Sequence, residues 1–140
     1  MASQLYTNYL NLMLGPDKAA HTLPDLDTDL IKCALVNGTD DYTFSAADQD
    51  INDVTTYLGT TDQMLSNKTI VAGVFDNTAD LTFASVAIDV AKVVDVLVHY
   101  YDTTVATTSP LICYHDAFTP VTPNGGNITV AYNASGIFAL

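Results

Sequence analysis

Hydrophobic positions along the chain follow a helical period first and a strand period afterwards. In residues 3–14, Leu5, Tyr6, Tyr9, Leu10, Met13 and Leu14 recur at the spacing of one helix face. Ser3 can cap this helix. Gly15-Pro16 predicts its end, because glycine accepts a left-handed cap and proline has no N–H to continue the ladder. Beyond an acidic, turn-rich stretch at residues 24–29 the pattern becomes β. Residues 30–36 predict a strand with Ile31, Cys33 and Leu35 on one face. Residues 69–75 and 80–84 predict two more, with a turn at Asp76-Asn77 between them. The strongest signal covers residues 92–102, where Val93, Val94, Val96, Leu97, Val98, Tyr100 and Tyr101 crowd both faces. A run apolar on both faces belongs at the centre of a sheet or under cover on both sides.

Ser109-Pro110 opens a strand at residues 111–115. Pro123-Asn124-Gly125-Gly126 is a turn. Ile128, Val130 and Tyr132 then alternate with Thr129, Ala131 and Asn133, as in a half-buried strand. A turn at residues 133–136 leads to a last strand at 137–140. Between residues 42 and 66 the pattern is weak, and we read a long loop with one short helix or strand around 51–58. Loops of this length in compact domains often bind or move. The fold expected is a single domain, residues 1–140. It is mainly β, an antiparallel β-sandwich or barrel of about seven strands with one N-terminal α-helix.

Composition sharpens this picture. All sixteen acidic residues are Asp and all four basic residues are Lys, giving a net charge of −12. Asp, Asn and Thr favour turns, caps and strands, whereas the missing Glu is a helix former. Four scattered lysines (Lys18, Lys32, Lys68, Lys92) make no basic footprint, so nucleic acid is not an expected partner. With 49% apolar and 14% charged residues the chain does not read as disordered. No apolar run approaches the ~20 residues of a membrane-spanning helix. The first residues lack a basic region and a signal-peptide core, so synthesis in a cytoplasm is expected, with no membrane partner. Cys33 and Cys113 lie in apolar runs and read as core thiols; the sequence leaves open whether they pair.

Candidate chemistry is sparse. His21, His99 and His115 stand at no metal-ligand spacing, although pairing of their two strands would bring His99 and His115 together. Asp25, Asp27 and Asp29 form a D-x-D-x-D run, but an EF-hand needs glycine at its sixth position and glutamate at its twelfth. Here the sixth position is Leu30 and the chain has no Glu. Asp48, Asp50 and Asp53 form a similar cluster; turn and cap chemistry is the expected role of both, and the sequence leaves open a looser surface calcium site. No G-x-S-x-G, phosphate loop or dinucleotide fingerprint is present. The expectation is no enzyme, no catalytic residue, no cofactor and no metal.

Three stretches, in order, carry a resemblance. They are Leu5-Tyr6-Thr7-Asn8-Tyr9; the run from Asp27 through Ile31-Lys32-Cys33-Ala34-Leu35-Val36; and the end, with Ser109-Pro110-Leu111-Ile112-Cys113-Tyr114, Val121-Thr122-Pro123-Asn124-Gly125-Gly126-Asn127-Ile128-Thr129-Val130 and Ala134-Ser135-Gly136-Ile137-Phe138. Together they resemble a family of small virion structural proteins of tailed bacteriophages, some of which look like capsid decoration (cement) proteins. Residues 39–64 depart most from that pattern. The resemblance implies a decoration protein on the capsid exterior, binding the major capsid protein as a homo-oligomer, with a trimer among the expected forms. The alternatives are a tail, neck or baseplate component, and a carbohydrate- or receptor-binding β-module on the virion surface. Leu5, Tyr6, Tyr9 and Leu10 are the expected intersubunit contacts, with residues 42–66 as a second possibility; otherwise the helix covers its own sheet.

Overall fold

The computed structural model describes residues 3–15, 21–56, 60–116 and 119–140. In chain order these form Gln4–Leu5 (β1), Thr7–Leu14 (α1), Ile31–Val36 (β2), Gln63–Met64 (β3), Lys68–Val71 (β4), Val74–Asn77 (β5), Leu81–Phe83 (β6), Val96–Tyr101 (β7), Leu111–His115 (β8), Ile128–Val130 (β9) and Phe138–Ala139 (β10). The fold is mainly β with one N-terminal helix. All strand pairing is antiparallel and falls into three sheets, of order β1-β8-β7-β2-β3, β10-β5-β4 and β6-β9.

The run with the strongest β signal holds the centre. β7 pairs with β2 over six residues, from Ile31↔Tyr101 to Val36↔Val96, and with β8 on its other side. Alternation then sends its side chains into two cores. On one face Ile31, Cys33, Leu35, Leu97 and Cys113 pack with Phe75, Phe83, Ile128, Val130 and Phe138 from the two smaller sheets. On the other face Ala34, Val36, Val96, Val98 and Tyr114 pack with Tyr6 and with Tyr42, Phe44, Ile51 and Val54. The weakly patterned stretch is therefore a cover, and its few apolar residues are the ones it turns inward.

Several expectations are corrected. The helix begins at Thr7, because Gln4 and Leu5 pair with Tyr114 and Cys113, and the Tyr6 N–H donates to the Ile112 carbonyl. Ser3 is no cap; its hydroxyl meets His115 Nδ1 and the Ile137 carbonyl. Gly15 ends the helix in extended rather than left-handed backbone, its N–H bonded to the Asn11 carbonyl; Pro16 lies outside the described residues. Residues 51–58 contribute a 3-10 turn at Ile51–Asp53, and residues 57–59 fall outside the described set. The single strand expected at 69–75 is a hairpin, β4 and β5, turning at Ala72 (φ 51°) and Gly73 (φ 81°), the two positive angles of a type I′ turn. Asp76-Asn77 is strand, not turn. Among the described residues the split hairpin and the short β1 and β3 raise the strand count from about seven to ten, and no barrel closes.

Gly136 sets how the last strand enters. Its φ is +75°, and a Cβ there would lie 2.5 Å from Val74 Cγ1 and 2.7 Å from the Phe75 carbonyl oxygen. That carbonyl accepts the Ile137 N–H at 2.8 Å, the bond that starts β10 on β5. Gly136→Ala combines a left-handed backbone with a backbone clash and is expected to cost about 2–4 kcal/mol. Urea denaturation measures it, and an unchanged midpoint contradicts the packing described.

Candidate functional site

The most chemically varied cluster lies inside the first core. Register places Cys33 opposite His99 and His99 opposite Cys113, so the three side chains form a row across β2, β7 and β8. All three are fully buried. His99 Nε2 lies 2.7 Å from the Tyr132 hydroxyl, and His99 Nδ1 lies 3.4 Å from Cys113 Sγ. The cysteines are free. With β7 between them they are two strand spacings apart, roughly 9–10 Å, beyond the ~7 Å a disulfide can bridge. The question the sequence left open is settled by topology.

The row is neutral. Burial pushes the Cys33 thiol up to about 12 and that of Cys113 well above its ordinary value. Burial, reinforced by the nearby His115, pulls the His99 imidazole down to about 3. Thiols of this kind are not thiolates at neutral pH and are poor nucleophiles. The arrangement satisfies buried polar atoms and links the sheet to the segment after β9.

Above the row a pocket of about 400 Å³ opens between Leu97, His115, Val121, Ile128, Val130 and Tyr132. His99 and His115 do approach, two residues apart on paired strands, as expected from their strands. His115 Nδ1 lies 2.6 Å from Ser3 Oγ, which resembles a nucleophile and its base. The serine, however, donates its proton to the Ile137 carbonyl, so it can only accept from the imidazole. Burial also lowers the basicity of His115. This contact fastens the N-terminal strand; it does not activate a hydroxyl.

The expected contact residues divide. Tyr6 and Tyr9 are fully buried within the chain's own cores and present nothing to a neighbour. The Tyr6 ring lies 5.1 Å from that of Phe44, and its hydroxyl donates to Tyr42 at 3.1 Å, which in turn donates to Asp48 at 2.7 Å. Tyr9 meets Phe138 edge-on at 6.2 Å. Leu5 and Leu10 are half-buried, and Leu5 also packs on the first core. The helix covers its own sheet, setting Tyr9 and Met13 on the first core.

The acidic groups serve turns and ion pairs. Asp29 accepts the Asp25 N–H, and Asp53 accepts the N–H groups of Gln49 and Asp50. Asp50 meets His21 at 2.5 Å, Asp102 meets Lys32 and Asp41 meets Lys92, both at 2.6 Å. Burial holds the Asp62 carboxyl above its usual range, and it accepts the Tyr100 hydroxyl at 2.8 Å. Among the described residues no group of three His, Cys, Asp or Glu is arranged to hold a metal ion, and no helix is long and apolar enough to cross a membrane.

What the sequence reading missed is on the surface. β4 is the free edge of its sheet and exposes Ile70 (50%) and Val71 (69%); Leu140 (71%), past β10, is exposed on the other side of β5. Ile70 lies opposite the buried Phe75, so it shares that residue's sheet face and is still half open. Gly73 was the available signal, hidden by Ala72 at a position where Asn or Asp is usual. No family model matches the chain, and no curated protein matches it.

Proposed function

We propose that this chain is a structural protein of a tailed-phage particle. It acts as a decoration (cement) protein on the capsid exterior, binding the major capsid protein in many copies. The observation that carries this reading is the apolar hairpin edge of β4, set in a surface of net charge −12. Two exposed apolar residues on an unpaired strand mark a contact surface, here between the many copies that coat a shell, while the acidic remainder keeps those copies soluble until they meet it. The core behind the edge is cross-linked by neutral hydrogen bonds. We read the three sheets as a sandwich, the five-stranded sheet facing the two smaller ones across the first core. A protein that binds only the assembled shell stabilises it by mass action.

Cryo-electron microscopy of the purified particle tests the proposal. Density of this fold repeated regularly outside the major shell is the expected result. Density confined to the neck, tail or baseplate, or absence from the particle, overturns the decoration role.

A further inference from the structure

We infer that β4 pairs with β4 of a second copy of this chain about a twofold axis, joining the two three-stranded sheets into one of six strands. The argument begins with backbone direction. The β4–β5 turn holds Ala72 and Gly73, so Val71 and Val74 form its closing hydrogen-bonded pair and Thr69 and Asp76 the next. The bond from the Thr78 N–H to the Asn67 carbonyl, at 3.0 Å, continues the same alternation. The N–H and C=O groups of Lys68 and Ile70 therefore point away from β5, four groups along one open edge.

That edge is self-complementary in one register. Setting Thr69 opposite Thr69 of the mate places Lys68 opposite the mate's Ile70, and all four outward groups of each strand find partners. Shifting the axis to Ile70 sets Lys68 against Ala72, a turn residue, and leaves part of the edge unpaired. In the Thr69 register the half-open Ile70 packs beside the aliphatic stem of the mate's Lys68. That stem is already held in place, because Lys68 Nζ donates to the Asp29 carbonyl at 2.7 Å. The two threonines meet on the outer face, a favourable cross-strand pair.

Charge selects the same place. Two copies of net charge −12 repel over most of their surfaces, yet residues 69–75 carry no charge at all, and Lys68 is the one charged residue of β4. A four-residue strand pair is a small interface, below the ~1,000 Å² of a durable complex. The dimer is therefore weak in dilute solution and favoured where copies are concentrated. It strengthens with salt, as screening removes the repulsion. A basic partner on the same edge would weaken with salt. The contact differs in symmetry from a trimer, and it stands on the hairpin alone: a dimer of a protein absent from any particle keeps this inference and sinks the virion reading.

Sedimentation equilibrium over a concentration series, at low and high salt, measures the association. Amide hydrogen exchange locates it. The expected result is a monomer–dimer equilibrium, tighter at high salt, in which the Ile70 and Lys68 amides become protected as dimer forms. Ile70→Pro removes an outward N–H that the hairpin does not use. With two of four hydrogen bonds lost per dimer, it weakens association about tenfold or more. Thr69→Lys, at an exposed side chain, sets two cations face to face and does the same even if the proline variant fails to fold. A strict monomer at both salts overturns the inference. So does association that falls with salt, or a dimer indifferent to Thr69→Lys.

Discussion

Replacing Tyr6 and Tyr9 together by Ser is expected to unfold the protein. Each ring is fully buried, and the two serve different cores: Tyr6 with Phe44 and Tyr42 on one side of the five-stranded sheet, Tyr9 with Phe138 on the other. Truncating one buried aromatic costs about 3–5 kcal/mol. Proximity along α1 makes the sum imperfect, but the pair together approaches the ~5–15 kcal/mol that holds a domain folded. Near-ultraviolet circular dichroism should lose its aromatic signal at neutral pH. Leu14→Ser, at an 87% exposed position on the same helix, should change stability by less than about 0.5 kcal/mol. A folded, cooperative double variant would show that α1 does not sit where it is described. It would also return the tyrosines to the surface role that the sequence pattern allowed.

The second large effect is acid instability traced to His99. In the unfolded chain its imidazole takes a proton near pH 6.5, whereas burial and the neighbouring His115 delay protonation in the fold to about 3. Unfolding therefore binds a proton throughout that window. Stability is full above about pH 6.5 and falls as pH drops towards 3. At pH 4.5 the loss from this group alone is about 2–3 kcal/mol. Asp62, held above its usual range by burial, acts in the opposite sense at the acid end of the window. Urea denaturation from pH 7 to pH 4.5 should show the slope, and His99→Gln should flatten it whatever it does to stability at pH 7. In the proton NMR spectrum of the folded protein, the His99 ring signals should not titrate above pH 4.5. A normal titration near pH 6.5 would mean that the ring is not buried as described.

The sequence revealed the elements whose pattern is repeated by burial. β2 and β7 were legible because alternate residues enter opposite cores, and because β7 is covered on both faces, so its run is apolar throughout. The elements it concealed are those specified by distant partners. β1 and β3 are two residues each and exist only because the edges of β8 and β2 accept them. Two residues carry no period. The β4–β5 hairpin was hidden by Ala72, which holds a positive φ that its own chemistry does not announce. The candidate site divides in the same way. The approach of His99 to His115 followed from strand pairing. The Cys33–His99–Cys113 row needed the relative register of three strands, which no single segment encodes. The helix face showed that Tyr6 and Tyr9 are buried against something, and only tertiary structure decides that this something is the chain itself.

The tie between Ser3 and His115 spans 112 residues, and the Tyr6 N–H waits for the carbonyl of Ile112. During synthesis the helix that follows β1 therefore has no sheet to cover until the second half of the chain has emerged. The early segments leave the ribosome without their partners, and the central sheet closes only after β7 and β8 have emerged. Chains with such distant pairings fold in milliseconds to seconds rather than microseconds. In the interval the β4 hairpin, uncharged from Thr69 to Phe75, and the apolar β7 run stand open in a crowded cell. The density of aspartate around them is then a safeguard for the nascent protein as much as a property of the finished one, keeping unfinished copies apart until each has closed on itself.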